Sequence, residues 1–243
     1  MNVSAPPRTM PQELAARYTM NGLADVYDWY INECYAADEP RVYALDTFAE
    51  LLGKAGRREL NYYGLTDLWL YQALAMFPVA GQRVAVFGSA TPWYESICLA
   101  HGAKEVVIFE YGPIVSEHPR VRMMTYEEYE RNPEPFDAGL SISSFEHDGL
   151  GRYGDPLDPE GDLKAMQTVR KVIRPGGLLY LAVPLGKDAV TWNAHRVYGL
   201  ARLSMLLAGY ETLASFGFDL RQLFVSGRSG VQPVFVLENG EPA

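Results

Sequence analysis

From Arg83 onward short apolar runs alternate with helical spacings: RVAVF, then PWYESICLA, EVVIFE, VRMMT, AGLSIS, the helix DLKAMQTVRKVI, and LLYLAVP. Strands that alternate with helices form parallel pairs, and near-continuous apolar strands are covered on both faces. The pattern predicts an α/β fold, a doubly wound and mostly parallel sheet of the Rossmann-like kind. NAHRVYGLARLSMLLAGY reads as one helix closed by Gly209, and ETLASFGF and PVFVLE read as a terminal strand pair with room for one antiparallel member. Upstream the apolar spacing from Leu14 to Phe77 is mostly helical, broken by Pro40, Gly53 and Gly64. The chain therefore divides into a Pro-rich arm and helical cap, residues 1–78, and an α/β domain, residues 79–243. In YGLTDLWLYQALAMFP, Thr66 is the expected N-cap, with Leu68, Trp69, Tyr71, Leu74 and Ala75 as a core stripe and Tyr62, Tyr63 and Asp67 at its entrance.

The 243 residues suffice for one large core, and no apolar run approaches the ~20 residues of a membrane span. Residues 1–10 lack the apolar centre of a secretory signal, and Cys34 and Cys98 sit in separate helical patterns rather than at ligand spacing. A cytoplasmic setting is the expectation. The net charge of −9 comes without a Lys/Arg cluster, which argues against nucleic acid and against an anionic membrane as partners. A small-molecule substrate remains, and oligomeric state leaves no signature.

In a doubly wound sheet, ligands bind beyond the carboxyl ends of the strands. Those ends are Gly88 to Trp93, Glu110 to Pro113, Ser143 to Arg152 and Pro184 to Asp188. Glu110 ends the second strand 22 residues after Gly88, close to the ~20 at which a carboxylate accepts ribose hydroxyls. Ser89 and Thr91 can cap the following helix, and Pro92 suits its first turn. Ser89, Ala90 and Thr91 all carry a Cβ, so a pyrophosphate cannot approach that backbone closely, which disfavours NAD and FAD. A ligand with adenosine and no pyrophosphate, such as S-adenosylmethionine, asks less of the loop.

Between Ser143 and Asp162 stand Glu146, His147, Asp148, Arg152, Tyr153, Asp155, Asp158, Glu160 and Asp162, interleaved with four glycines. His147 and Glu146 are the catalytic candidates: an imidazole takes a proton near neutral pH, and the carboxylate accepts hydrogen bonds from a hydroxyl or amine. The alternatives are a histidine bonded to a carbonyl and a glutamate that orients Arg152. Arg152, Tyr153 and Asp155 are substrate-binding candidates, since a guanidinium offers paired donors and a phenol a flat face. The competing reading pairs Arg152 with Asp155 or Asp158 to hold the loop. Asp155, Asp158 and Asp162 with His147 have no diagnostic metal spacing, so no metal is assigned. Asn193, His195, Arg196 and Tyr198 follow the fifth strand and are expected over the same crevice, where Asn193, His195 and Arg196 would join in substrate binding. Trp192 beside them suits either a sugar ring or burial.

FDAGLSISSFEHDG followed by VRKVIRPGGLLYLAVP resembles the fourth and fifth strand regions of class I S-adenosylmethionine-dependent methyltransferases. SSFEHDGLGRYGDPLDPEGDLKAM, GSATPWYE, FEYG and WNAHRVYG are similar to the domain of unknown function family 268, a methyltransferase-like group found among other places in bacterial surface-polysaccharide gene clusters. The resemblance runs from about Tyr63 to Glu238, although the second and third glycines of the usual first motif are missing. It implies S-adenosylmethionine as cofactor, with Gly88, Ser89, Glu110, Tyr111 and Ser143 beside it, and a small polar, carbohydrate-like acceptor. Two other classes compete: a methyltransferase-like fold that binds a ligand or partner without transfer, and a hydrolase or lyase using the acidic loop.

Overall fold

A computed structural model describes residues 5–33, 40–110 and 112–240; Cys34 and Tyr111 lie outside the described residues. In chain order the elements are α1 (Gln12–Tyr18), β1 (Asp25–Trp29), β2 (Arg41–Tyr43), α2 (Leu45–Gly56), α3 (Leu65–Met76), β3 (Arg83–Phe87), α4 (Trp93–Ala100), β4 (Glu105–Phe109) and β5 (Ile114–Ser116). Then come β6 (Val121–Met124), α5 (Tyr126–Arg131), β7 (Phe136–Ile142), α6 (Gly161–Val172), β8 (Ile173–Ala182), β9 (Ala189–Asn193), β10 (His195–Val197), α7 (Leu200–Leu206), β11 (Tyr210–Phe216) and β12 (Val234–Asn239).

Seven strands form the main sheet in the order β11-β12-β8-β7-β3-β4-β6. β6, β4, β3, β7 and β8 pair in parallel, and β12 runs antiparallel to both its neighbours. Alternation along each strand sends its side chains to two cores. Val84, Val86, Val106 and Ile108 pack with Phe48, Leu70, Leu74 and Ile97 from α2, α3 and α4 on one face. Ala85, Phe87, Val107 and Phe109 pack with Tyr129, Met166, Val169 and Leu203 from α5, α6 and α7 on the other. Every residue of these strands past the first is buried, which is why they read as unbroken apolar runs. The order reverses between β3 and β7, so the crevice of the sheet opens there.

Four expectations are corrected. The region read as helical contains β1, parallel to β9, and β2, parallel to β5; both are short edge strands whose partners lie more than 70 residues away, so helical spacing around them masks them. The helix read from Asn193 to Gly209 begins only at Leu200, because Asn193 and His195 belong to the three-stranded sheet β1-β9-β10. Its N-terminus is capped from a distance: Asp188 accepts from the N–H groups of Gly199 (2.8 Å), Ala201 (3.0 Å) and Arg202 (3.0 Å). Thr66 is not the cap of α3, which follows Gly64; its hydroxyl donates to the Gln232 carbonyl at 2.8 Å. Neither Ser89 nor Thr91 caps α4 through its side chain. The Pro-rich arm is docked where it is described: the Pro6 carbonyl accepts from Tyr30 (2.8 Å) and the Pro7 carbonyl from the Trp192 indole (3.1 Å).

Candidate functional site

The chain leaves β3 through Gly88 at φ +77°, and a Cβ there would run into the Ser144 side chain. Glycine is required at this position to let the loop after β7 cross the end of β3, which settles why one glycine survives in an otherwise glycine-poor turn. Ser143, where β7 ends, also has a positive φ (+53°), a conformation that costs a non-glycine residue about 1 kcal/mol.

The Ser89 N–H donates to Glu110 Oε2 at 3.2 Å, and Arg41 lies 3.4 Å from the same oxygen. Arg41 also donates to the Ser89 carbonyl, and the Tyr43 hydroxyl sits 3.0 Å from both that carbonyl and the Ser89 hydroxyl. Pairing of β2 with β5 therefore ties the glycine-poor loop to the end of β4. Glu110 keeps 19% of its side chain exposed, enough for an incoming hydroxyl to reach it. Beneath the loop Glu95 is fully buried, and among the described residues neither carboxylate oxygen has a hydrogen-bond partner. Burial pushes its carboxyl up to about 7.

Past β7 a 3-10 turn, Phe145–His147, carries both catalytic candidates. The Ser143 hydroxyl donates to Glu146 Oε1 at 2.5 Å and accepts from Gln232 Nε2 at 3.1 Å. Glu146 is 1% exposed, and burial raises its carboxyl to about 7 against the pull of Ser143. Its Oε2 and the Gln232 Oε1 have no hydrogen-bond partner among the described residues. His147 Nδ1 lies 2.6 Å from the Ala194 carbonyl, which fixes the proton on Nδ1 and leaves Nε2 as an acceptor 3.8 Å from Glu146 Oε1. Burial, then the nearby Arg152 charge, lower the imidazole to about 3, so it is neutral. Tyr63 lies beside Ser143, and burial raises its phenol to about 12.

The loop after β7 and the strands after β8 do converge: the His147 and His195 rings meet edge to face at 6.2 Å, and Tyr153 meets His147 at 5.5 Å. Arg152, however, pairs with Glu33 (2.7 Å), not with Asp155 or Asp158, and stacks over Tyr153 at 4.9 Å. The remaining substrate-binding candidates point into the protein. Asp155 accepts from the backbone N–H groups of Gly149 (2.7 Å), Gly151 (3.2 Å) and Tyr153 (3.3 Å) and so shapes the loop. Asn193, with no exposed surface, accepts from the Ile31 N–H at 2.8 Å and donates to the Leu150 carbonyl at 3.3 Å. His195 bonds the Arg228 carbonyl at 2.6 Å. Arg196, 2% exposed, donates to the carbonyls of Asp148 (2.6 Å), Glu146 (3.5 Å), Asp158 (3.3 Å) and Pro159 (3.3 Å). Their donors and acceptors meet backbone, so these residues hold the site together instead of facing a ligand. Trp192 is 2% exposed and packs edge-on to Tyr18, which removes it as a sugar platform. Among the described residues no cluster of three His, Cys, Asp or Glu side chains is placed to hold a metal, and no helix is long and apolar enough to cross a membrane.

Sequence reading missed Arg41, Tyr43, Glu95 and Gln232 as members of the site. Arg41, Tyr43 and Gln232 come from elements outside the strand–loop–helix units it searched, and Glu95 hides in an apolar helical run.

The family model described as "Caenorhabditis protein of unknown function, DUF268" matches residues 81–225. No curated protein matches. Among solved structures, the Burkholderia thailandensis 1,6-didemethyltoxoflavin-N1-methyltransferase, with bound 1,6-didemethyltoxoflavin and S-adenosylhomocysteine, superposes at TM-score 0.52 with 13% identity over 97% of this chain and 92% of that one. A second, "Putative hemolysin from Streptococcus thermophilus", superposes at TM-score 0.50 with 16% identity over 75% of this chain and 69% of that one. The fold is that of the Rossmann-like class I methyltransferases.

Proposed function

The chain belongs to the DUF268 family, and we propose that it is an S-adenosylmethionine-dependent methyltransferase acting on a small polar, carbohydrate-like acceptor. The observation that carries the reading is the juxtaposition at the sheet's reversal point. Glu110, partly exposed past the end of β4, accepts from the Ser89 N–H, and Glu146 with His147 follows β7; β3, whose exit at Gly88 packs against Ser144, lies between these two strands. The cofactor's chemical contribution is an electrophilic methyl group on sulfur. The residues present fit it: Glu110, backed by Ser89 and Arg41, would receive the ribose hydroxyls, and no pyrophosphate cradle is needed. Ser143 and Ser144 line the crossing between the two strand ends, and Tyr111 falls outside the described residues. The acceptor would lie against Glu146 and the neutral His147, both accepting hydrogen bonds from it and Glu146 taking its proton, with Arg152 and Tyr153 at the rim. Alignment supplies most of the acceleration in such a site.

Calorimetric titration with S-adenosylmethionine and S-adenosylhomocysteine tests the reading. Binding is expected, and Glu110→Gln should weaken it by about 1–3 kcal/mol through lost charge-assisted hydrogen bonds. No heat at about millimolar ligand, the upper end of the usual range of enzyme–substrate affinities, sinks the proposal in favour of a ligand-binding relative that transfers nothing.

A further inference from the structure

We propose that the acceptor group is a primary amine, received as its ammonium ion by Glu146 Oε2, Gln232 Oε1 and His147 Nε2 at the end of β7; this rests on the methyltransferase reading above. The donors at the end of β7 are mostly committed already. Ser143 has one hydroxyl hydrogen, and it goes to Glu146 Oε1. Gln232 Nε2 donates to Ser143, and His147 Nδ1 donates to the Ala194 carbonyl. With Glu146 ionised, above about pH 7, the groups left without a partner are acceptors, the buried Glu146 Oε2 and Gln232 Oε1 and the imidazole Nε2, and they outnumber the second Gln232 N–H and the Tyr63 phenol beside Ser143.

An ammonium group brings three hydrogens to such a set. A hydroxyl brings one, and a carboxylate or phosphate brings only more lone pairs. The nearby cations do not reverse this preference. Arg152 is held by Glu33 and the Ala194 carbonyl, and Arg196 by the carbonyls of Asp148, Glu146, Asp158 and Pro159. Accepting a carboxylate would need Glu146 to keep its proton, which it releases as pH rises through about 7, and the Gln232 amide turned over. Gln232 thereby becomes a specificity residue that no motif marks. It reaches the site because β12 lies against β8, and its own carbonyl is anchored by Thr66.

The step balances. The ammonium passes one proton to the Glu146 carboxylate, and the nitrogen lone pair so exposed forms the new N–C bond as the C–S bond breaks towards sulfur. The product leaves as a methylammonium ion, and Glu146 returns its proton to solvent.

The test uses three probes on one sugar ring: glucosamine, N-acetylglucosamine and glucuronate, each titrated into the protein alone and followed by heat and by melting temperature. Glucosamine should bind and raise the melting temperature while the other two do not. Glu146→Gln and Gln232→Met should each weaken glucosamine by at least about tenfold, the loss of one charge-assisted hydrogen bond. Should Glu146→Gln fail to fold, Gln232→Met carries the comparison. Binding of glucuronate, equal binding of all three probes, binding of none, or glucosamine affinity indifferent to the variants overturns the proposal. A Glu146→Gln protein whose only loss is S-adenosylhomocysteine affinity also overturns it, by placing the cofactor's own ammonium there. The S-adenosylhomocysteine titration on the unaltered protein reports the methyltransferase reading separately.

Discussion

The loop after β3 and the loop after β7 each bury a glutamate at the reversal point of the sheet, and the two carboxylates are held differently. Glu95 has no partner for either oxygen among the described residues, whereas Glu146 has one oxygen fixed by Ser143 and one buried without a partner. The first loop is clamped from outside, by Arg41 and Tyr43 of a short strand. The second is clamped from within, by Arg196 and Asp155. A polar group half anchored and half unpartnered is aimed, because its remaining lone pair has a fixed direction. One with no anchor is only buried. On the proposed reading the loop after β7 meets the acceptor, and the loop after β3 keeps its shape under the cofactor.

The largest effect that would break this contrast is the removal of Arg196. Arg196→Met removes a donor from four carbonyls, of which Pro159 keeps Arg202 and Asp158 keeps the Gly161 N–H, and leaves Asp162, which has no exposed surface, with Arg202 and Tyr198 as its remaining partners. We expect a loss of about 3–5 kcal/mol of stability, the usual result of breaking a buried charged network, read by urea unfolding. A variant of unchanged stability that no longer binds glucosamine would return Arg196 to the ligand and dissolve the distinction between clamp and contact.

Next in size is a pH effect shared by both glutamates. Each carboxyl is raised from 4.5 to about 7, so the folded chain holds a proton that the unfolded chain releases between those values. The stabilisation is complete below about 4.5 and is lost as pH rises through about 7. His147 has the opposite sign: lowered from 6.5 to about 3, it contributes fully above 6.5 and loses that contribution as pH falls towards 3. Measured against the unaltered protein, Glu146→Gln and Glu95→Gln should each become relatively more stable by about 2–3 kcal/mol between about pH 5 and about pH 8. Only Glu146→Gln should also lose glucosamine. If Glu95→Gln loses it equally, the two loops form one binding surface.

How much of this was legible depends on where the determinants lie along the chain. β3, β4, β7 and β8 showed themselves because both faces are buried, and Glu110 showed itself by its spacing from Gly88. Charge density marked the loop after β7 as the candidate. Side-chain direction within it was hidden, since an arginine whose donors meet carbonyls looks the same in sequence as one whose donors meet a ligand. Arg196 and Asn193 were misread for that reason. Arg41 and Gln232 were invisible for another: they arrive through β2–β5 and β12–β8 pairing, across 73 and 52 residues between Arg41 and Ile114 and between Val234 and Ala182, without a local motif. β9 and β10 were lost to a helical spacing that begins in earnest only at Leu200.

The smallest expected effect sharpens the contrast most. Arg41 and Glu110 form a partly exposed pair, 25% and 19% exposed, at 3.4 Å, and such pairs contribute up to about 1 kcal/mol. Arg41→Gln should therefore lower the melting temperature by only a few degrees, since the β2–β5 pairing and Tyr43 still hold the Ser89 loop. The change in affinity is informative in sign. If Glu110 receives ribose hydroxyls, Arg41 competes with them for Oε2, and its removal should tighten S-adenosylhomocysteine binding by a few-fold in a calorimetric titration. If affinity instead falls by about tenfold, the guanidinium is itself a contact, its paired donors suited to the ligand's carboxylate. The loop after β3 would then be a recognising surface like its neighbour, and the distinction between the two would rest on Glu95 alone.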